Sequence, residues 1–440
     1  MKRILLCLAL LLAGSHVGMA QELTLAQAQQ QAVAQNRRLK IARHKVDEST
    51  YKITDAKSRL YPLVQASALY AYNGVANDLT LPAGALGVIP GNTPVLLPQK
   101  ELTLFDAKHN LFTGGVLAFQ PISQLGKIKD GVRAAQADVE LAQTDVSQAE
   151  QAIRHGVEQV YFGLLIAQKQ QEQAQTTIEL TRAKLYDLES ALLAGKTDPV
   201  NKVGLQADLA NQQQQLRQLQ NQVEDYTADL NELLGQPAET PLTVSAPADA
   251  PLALQPVDTY LTAAQSGNLD VRKADQLSRK ASIGVQAARK DYLPMVGALG
   301  GYNYQNVISE LPANNFFLGL QLSYNLFDFG RRRSAVNQRL SQQQQADENR
   351  QYTLEHLQTE VGKAHRKARQ AQSLIPIATQ AVQYRRDELK LKQDRLAAGL
   401  TLKRDVLETQ QALQKAEVDL YSAQIGYRLA LSELQRLGGQ

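Results

Sequence analysis

The chain has 440 residues, and its 47 basic side chains against 43 acidic ones leave a formal net charge of only +4. That near balance argues against a protein that grips nucleic acid through its phosphates. Apolar residues make up 44%, yet aromatics reach only 5% and Trp is absent, a composition of long helices and not of an aromatic-filled globular core.

At the start, Met1-Lys2-Arg3, the apolar run Ile4 to Ala13 and the small-residue site Gly18-Met19-Ala20 read as a secretory signal peptide over residues 1–20. The single cysteine, Cys7, falls inside it, so the exported chain is expected to carry neither disulfide nor cysteine metal site. The next residue is Gln21 and not a cysteine, so lipid anchoring is not expected. After the signal no run of about 18 apolar residues remains, and a membrane crossing would have to be made by β-strands.

The rest of the chain repeats itself. Positions 126–235 overlay 330–439 without a gap, matching Val157/Val361, Leu185/Leu389, Gly195/Gly399 and Leu230/Leu434. At a shift of 232 the earlier part follows, with Ala32/Ala264, Asn36/Asn268, Pro62/Pro294, Tyr70/Tyr302 and Tyr72/Tyr304. The chain is thus a tandem duplication: a first repeat over 21–235, a linker over 236–256 with five prolines, and a second repeat over 257–440. The first repeat carries about 28 extra residues, most of them in the Pro- and Gly-rich piece Leu81 to Pro98, which reads as a long loop.

Each repeat has the same predicted order. A helix of roughly 35 residues (about 23–59 and 257–291) is stopped by Pro62 or Pro294. Two extended segments follow, about 63–74 and 101–120 in the first repeat, 295–305 and 315–326 in the second. A helix of some 65 residues then runs to a hairpin tip at Gly195 or Gly399, where glycine suits a left-handed cap. Asp198-Pro199 restarts the chain in one half and Thr401 is the expected cap in the other. A helix of that length spans about 100 Å, so the helices must stand side by side, with Leu185, Leu188 and Leu192 in the seam and the Gln-rich faces (Gln212–Gln215, Gln342–Gln345) in water.

The extended segments alternate. Val64, Ala66, Ala68, Tyr70 and Tyr72 share one face, and so do Val296, Ala298, Gly300, Tyr302 and Tyr304. In the last segment Phe316, Leu318, Leu320 and Leu322 oppose Gly319, Gln321, Ser323 and Asn325. Ten-residue period-two segments with an apolar side are what a membrane barrel strand needs, although a soluble sandwich strand looks the same. Tyrosines at equal positions in both repeats favour an aromatic girdle of Tyr70, Tyr72, Tyr302 and Tyr304 at a membrane interface. Four strands cannot close a barrel, so several chains would have to share one.

The junctions Gln120-Pro121-Ile122-Ser123-Gln124-Leu125-Gly126-Lys127 and Tyr324-Asn325-Leu326-Phe327-Asp328-Phe329-Gly330-Arg331, the tips Ala194-Gly195 and Ala398-Gly399, and Asp405-Val406-Leu407 resemble the TolC-type outer-membrane efflux protein family over residues 22–438. The resemblance implies a mainly α fold with a β-barrel membrane part: long helical hairpins forming a trimeric α-barrel in the periplasm, and four strands per chain in a shared 12-stranded barrel in the outer membrane. It further implies a non-enzymatic exit duct of an efflux or secretion system. Its expected partners are a periplasmic adaptor, an inner-membrane pump or secretion ATPase, and outer-membrane lipid. By the same resemblance Asp405 and Glu408, three residues apart on one helix face, belong to the periplasmic gate; the first-half counterpart of Asp405 is Asn201, so only one hairpin is acidic there. Lys127, Lys129, Arg331, Arg332 and Arg333, which open the long helices although the dipole disfavours cations there, are expected to meet lipid headgroups.

No catalytic or cofactor motif is found: there is no P-loop, HExxH or G-x-S-x-G, and His44, His109, His155, His356 and His365 are scattered. The competing reading is a soluble periplasmic coiled-coil adaptor, which would be expected to show one hairpin and not two.

Overall fold

The computed structural model describes residues 22–196, 198–246, 253–309 and 311–439; the expected signal peptide lies outside them. The chain divides into a helical unit (residues up to 45, 142–275 and from 349) and a sheet unit (46–141 and 276–348). No helix among the described residues is long and apolar enough to cross a membrane.

Helix α1 (Leu25–Gln35) begins at a capping box in which Thr24 accepts the Gln27 N–H and the Gln27 side chain accepts from Thr24. The expected continuous helix to residue 59 is broken: Asn36 leaves the helical region with ψ 129°, and α2 (Arg37–Ser58) starts afresh. Asn36 Oδ1 accepts the Arg38 N–H at 2.9 Å while Nδ2 donates to the Leu233 carbonyl at 3.3 Å. The second repeat does the same. Asn268, also at ψ 129°, separates α5 (Val257–Gly267) from α6 (Leu269–Arg289), accepts from Asp270 and Val271, and donates to the Leu437 carbonyl at 3.0 Å. One asparagine therefore interrupts one helix and satisfies an orphan carbonyl at the end of another.

The hairpins are α3 (Leu125–Leu193) with α4 (Pro199–Leu234) and α7 (Arg331–Ala397) with α8 (Lys403–Leu437). The chain reverses through Gly195 and Gly399, at φ +69° and +71°, a region side chains rarely adopt. In the helical unit two cores form. Tyr161, Phe162, Val157 and Leu164 of α3 pack with Ala28, Ala32, Leu39, Leu230 and Leu234; Val361, Ala368 and Leu357 of α7 pack with Ala264, Val271, Leu431 and Leu434. Val157/Val361, Ala32/Ala264 and Leu230/Leu434 are repeat partners, so the duplication extends to the packing. The first half of the expected linker is also packed. Val244 pairs with Leu23 and is buried, and the fully buried Tyr161 shares its hydroxyl between the Leu23 and Ser245 carbonyls at 2.7 and 2.6 Å.

In the sheet unit, β1 (Leu63–Tyr72), β6 (Asn110–Pro121), β7 (Met295–Gln305) and β8 (Asn314–Ser323) form one antiparallel sheet in the order β1-β6-β7-β8. The two repeats thus meet along β6 and β7, and β1 and β8 are the edges. The expected strand over 101–120 is instead β5 (Leu102–Phe105) and β6, separated at residues 106–109, and β8 stops at Ser323 and not at 326. The expected loop over 81–98 is structured: β2 (Leu79–Leu81) pairs with β5, and β3 (Gly87–Ile89) with β4 (Val95–Leu97). One glycine shows how close the strands run: a Cβ at Gly297 would stand 2.5 Å from the Phe119 ring, which lies over it.

Candidate functional site

Register decides what the sheet presents. Val64, Ala66, Ala68 and Tyr70 of β1 stand opposite Ala118, Val116, Gly114 and Phe112 of β6. Val116 and Ala118 pair with Tyr302 and Gly300 of β7, and Tyr302, Gly300, Ala298 and Val296 pair with Phe316, Leu318, Leu320 and Leu322 of β8. Directly opposed residues share a face, so one face is apolar across all four strands, and Phe316, Leu318, Leu320 and Leu322 are 77, 79, 77 and 71% exposed. The other face is mixed, with Gln65, Ser67, Thr113, Asn303 and Gln321 among glycines and the apolar Leu69, Leu117, Phe119, Leu299 and Phe317. An exposed apolar face of this extent is a surface that another phase or molecule covers.

Tyr70, Tyr72, Tyr302 and Tyr304 all lie on that face, at the end of the sheet opposite the strand ends that lead into α3 and α7. The two repeats use them alike, since Tyr70 donates to Asn110 Oδ1 at 2.7 Å and Tyr302 to Asn314 Oδ1 at 2.6 Å. Phe112 stands 5.7 Å from the Tyr304 ring, and His109 stacks on Tyr72. A row of rings with tethered hydroxyls has one apolar side and one wet end, as an interface requires.

At the other end of the sheet the basic residues divide. Lys127 is paired with Asp291, and Arg332 is enclosed: its guanidinium binds Asp328 at 2.5 Å, donates to the Asn325 carbonyl, and lies over the rings of Tyr292 and Tyr324 at 5.4 and 5.1 Å. Lys129, Arg331 and Arg333 are exposed. Nearby, Lys290, a residue the sequence did not single out, holds the buried Asp130 and donates to the Gly126 carbonyl. Of the five expected headgroup contacts, Lys127 and Arg332 therefore have partners within the chain.

At the second hairpin tip both acidic residues are engaged as well. The N-cap of α8 is Leu402 and not Thr401, and having no side-chain acceptor it leaves its backbone N–H to the Asp405 carboxylate at 3.2 Å. Asp405 also accepts from the Thr401 hydroxyl at 2.8 Å and pairs with Arg404. The Thr401 hydroxyl, then the Leu402 amide and Arg404, hold its carboxyl below the usual carboxylate range. Glu408 pairs with Lys184 of α3 at 2.9 Å, which ties the acidic hairpin to the other one. Gln411 donates to Thr177 at 3.0 Å one turn further along. Lys184 lies 224 positions from Glu408 in the chain, and no local pattern could have found it.

Farther along the same pair of helices lies a half-buried cluster. Ser432 donates to Glu158, and His155 stands 3.6 Å from Glu433 and 4.0 Å from Glu158. Burial pushes the Glu158 carboxyl up and the His155 imidazole down, so each is biased towards its neutral form.

A profile of the outer membrane efflux protein family matches residues 20–236 and 260–440. No curated protein sequence matches the chain. Among solved structures, the CmeC outer membrane channel of Campylobacter jejuni is 17% identical with a TM-score of 0.76, covering 94% of this chain and 85% of its own. The outer membrane protein VceC of Vibrio cholerae is 18% identical at a TM-score of 0.71, covering 94% and 96%. The MtrE outer membrane channel of Neisseria gonorrhoeae, in an open state, is 15% identical at 0.70, covering 94% and 88%. At such identities these structures share the fold, and the family follows from the profile, which spans both repeats. The chain belongs to the outer membrane efflux protein family, and its place is the outer membrane.

Proposed function

We propose that three copies close one 12-stranded barrel, edge β1 of each against edge β8 of the next, and that the assembly is the exit duct of an efflux or secretion system. In this reading a periplasmic adaptor and an inner-membrane pump or secretion ATPase recruit it through the hairpin tips. The observation that carries it is the four-stranded sheet with one face that is apolar between Asn110 and Asn314 at one end and Gln120 at the other, and with β1 and β8 as its edges, because a barrel in lipid must have no edge. The same exposed row weighs against a soluble adaptor, which would present Phe316 to Leu322 to water. The apolar face would meet lipid, with Tyr70, Tyr72, Tyr302 and Tyr304 at the outer interface and Lys129, Arg331 and Arg333 at the inner headgroups. The turn after Gly399 would lie at the periplasmic entrance. Because Asp405 is engaged as a cap and Glu408 with Lys184, we assign Asp405 the role of fixing the first turn of α8 and Glu408 that of a latch between hairpins, and not that of a ring of six free carboxylates. Detergent-extracted protein should be a trimer that conducts ions in planar bilayers, and a salt-extractable monomer without conductance would refute the reading.

A further inference from the structure

We propose that the insertion carrying β2 to β5 is an apolar arm whose partner is the same arm of the neighbouring copies, so that the arms together narrow the outer mouth of the barrel. This rests on the trimeric reading above. From Leu79 to Gln99 the chain contains no charged residue. Its two ladders make a narrow ribbon with Val88 and Leu96 opposed on one side, Ile89 and Val95 on the other, and Leu86 exposed at its turn. A two-stranded ribbon is marginal in water by itself, and one apolar on both sides needs a cover.

Three features select the cover. The arm leaves the sheet at the tyrosine end, between β1 and β6, so in a closed ring β1 carries it beside the seam with the next copy. Its base is oriented, because Asp78 accepts the Ala107 N–H at 2.9 Å and Asp106 accepts the hydroxyl of Ser309, in the β7–β8 connection, at 3.1 Å. Charge then separates a lipid surface from a second copy. The charged residues flanking the ribbon, Asp78, Glu101 and Asp106 against Lys100 and Lys108, give no basic footprint for anionic headgroups. Three identical uncharged ribbons meet without the like-charge repulsion that symmetry imposes on any charged loop.

The test uses the trimer in outer-membrane vesicles, where the only other cysteine, Cys7, lies in the expected signal peptide. On oxidation, Ile89→Cys should give disulfide-linked dimers on a non-reducing gel. Deletion of Pro82–Leu97 should raise single-channel conductance about twofold or more by removing an apolar constriction. The proposal is overturned by native-mass trimers that form no dimers, by unchanged conductance in the deletion variant, or by quenching of bimane on the Ile89→Cys variant by brominated lipid. A monomeric native mass for the unmodified protein would instead overturn the trimeric reading, which separates the two failures.

Discussion

Two pairs of side chains show how neighbours set the work of a residue. Glu158, whose carboxyl burial pushes up, and His155, whose imidazole burial pushes down, have opposite pH consequences. The raised Glu158 pKa means that its contribution to stability is complete below the ordinary value of 4.5 and is lost as pH rises through the folded value. The depressed His155 pKa means that its contribution is complete above 6.5 and is lost as pH falls through the folded value. Glu158→Gln should therefore raise the thermal midpoint at pH 8 and leave it nearly unchanged at pH 4; an equal shift at both pH values would show that ionisation is not the cause. At the tip, Asp405→Ala removes the acceptor of the Leu402 N–H, and limited proteolysis should cut the first turn of α8 several-fold faster. Glu408→Gln should leave that rate alone and lengthen open dwell times by up to about fivefold, since a part-exposed ion pair is worth about 1 kcal/mol at most. Unchanged gating in this variant would remove the latch.

At the scale of elements the breaks at Asn36 and Asn268 are the most instructive. Hydrophobic periodicity continues through both, so the pattern reads as a single helix; what ends each is a side chain whose partner, Leu233 or Leu437, lies about 170 to 200 residues away. Asn268→Ala should cost about 1–3 kcal/mol, since it strands the buried Leu437 carbonyl and uncaps α6. The measurement is the denaturation midpoint of the detergent-extracted protein, and a change within the range of a surface substitution would mean that the break is held by packing alone. The strands were more legible than the helix breaks, because period-two alternation places each residue on a face before its partner strand is known. The ribbon over 79–105 was not legible, since its runs of three to four residues among prolines and glycines carry too little periodicity to distinguish from loop.

For the molecule as a whole, the sheet order makes a prediction about closure. β1 and β8 are separated by β6 and β7, so their backbones lie about 14 Å apart, beyond the reach of a disulfide within one chain. Ala66→Cys combined with single cysteines along β8 should therefore cross-link between chains only, in one register, and yield covalent trimers on a denaturing gel. Intramolecular bridging, or no linkage at any β8 position in protein of trimeric mass, would contradict the pairing of these edges.

By itself the sequence determined the duplication, the four strands with their apolar face, the lengths of the long hairpin helices and the two glycine tips. Each of these rests on repetition or on a period of 2 or 3.6, which local chain geometry imposes wherever the residues end up. Tertiary structure alone decided which charges are free. Arg332 over the Tyr292 ring and Glu408 on Lys184 look in the sequence like charges facing lipid or pore, and only long-range placement shows their partners, whereas Asp405 is held by Thr401 and Leu402 of its own turn. The reason is that a charge is defined by what lies within a few ångströms of it, and in a chain of long antiparallel helices those neighbours come from distant sequence.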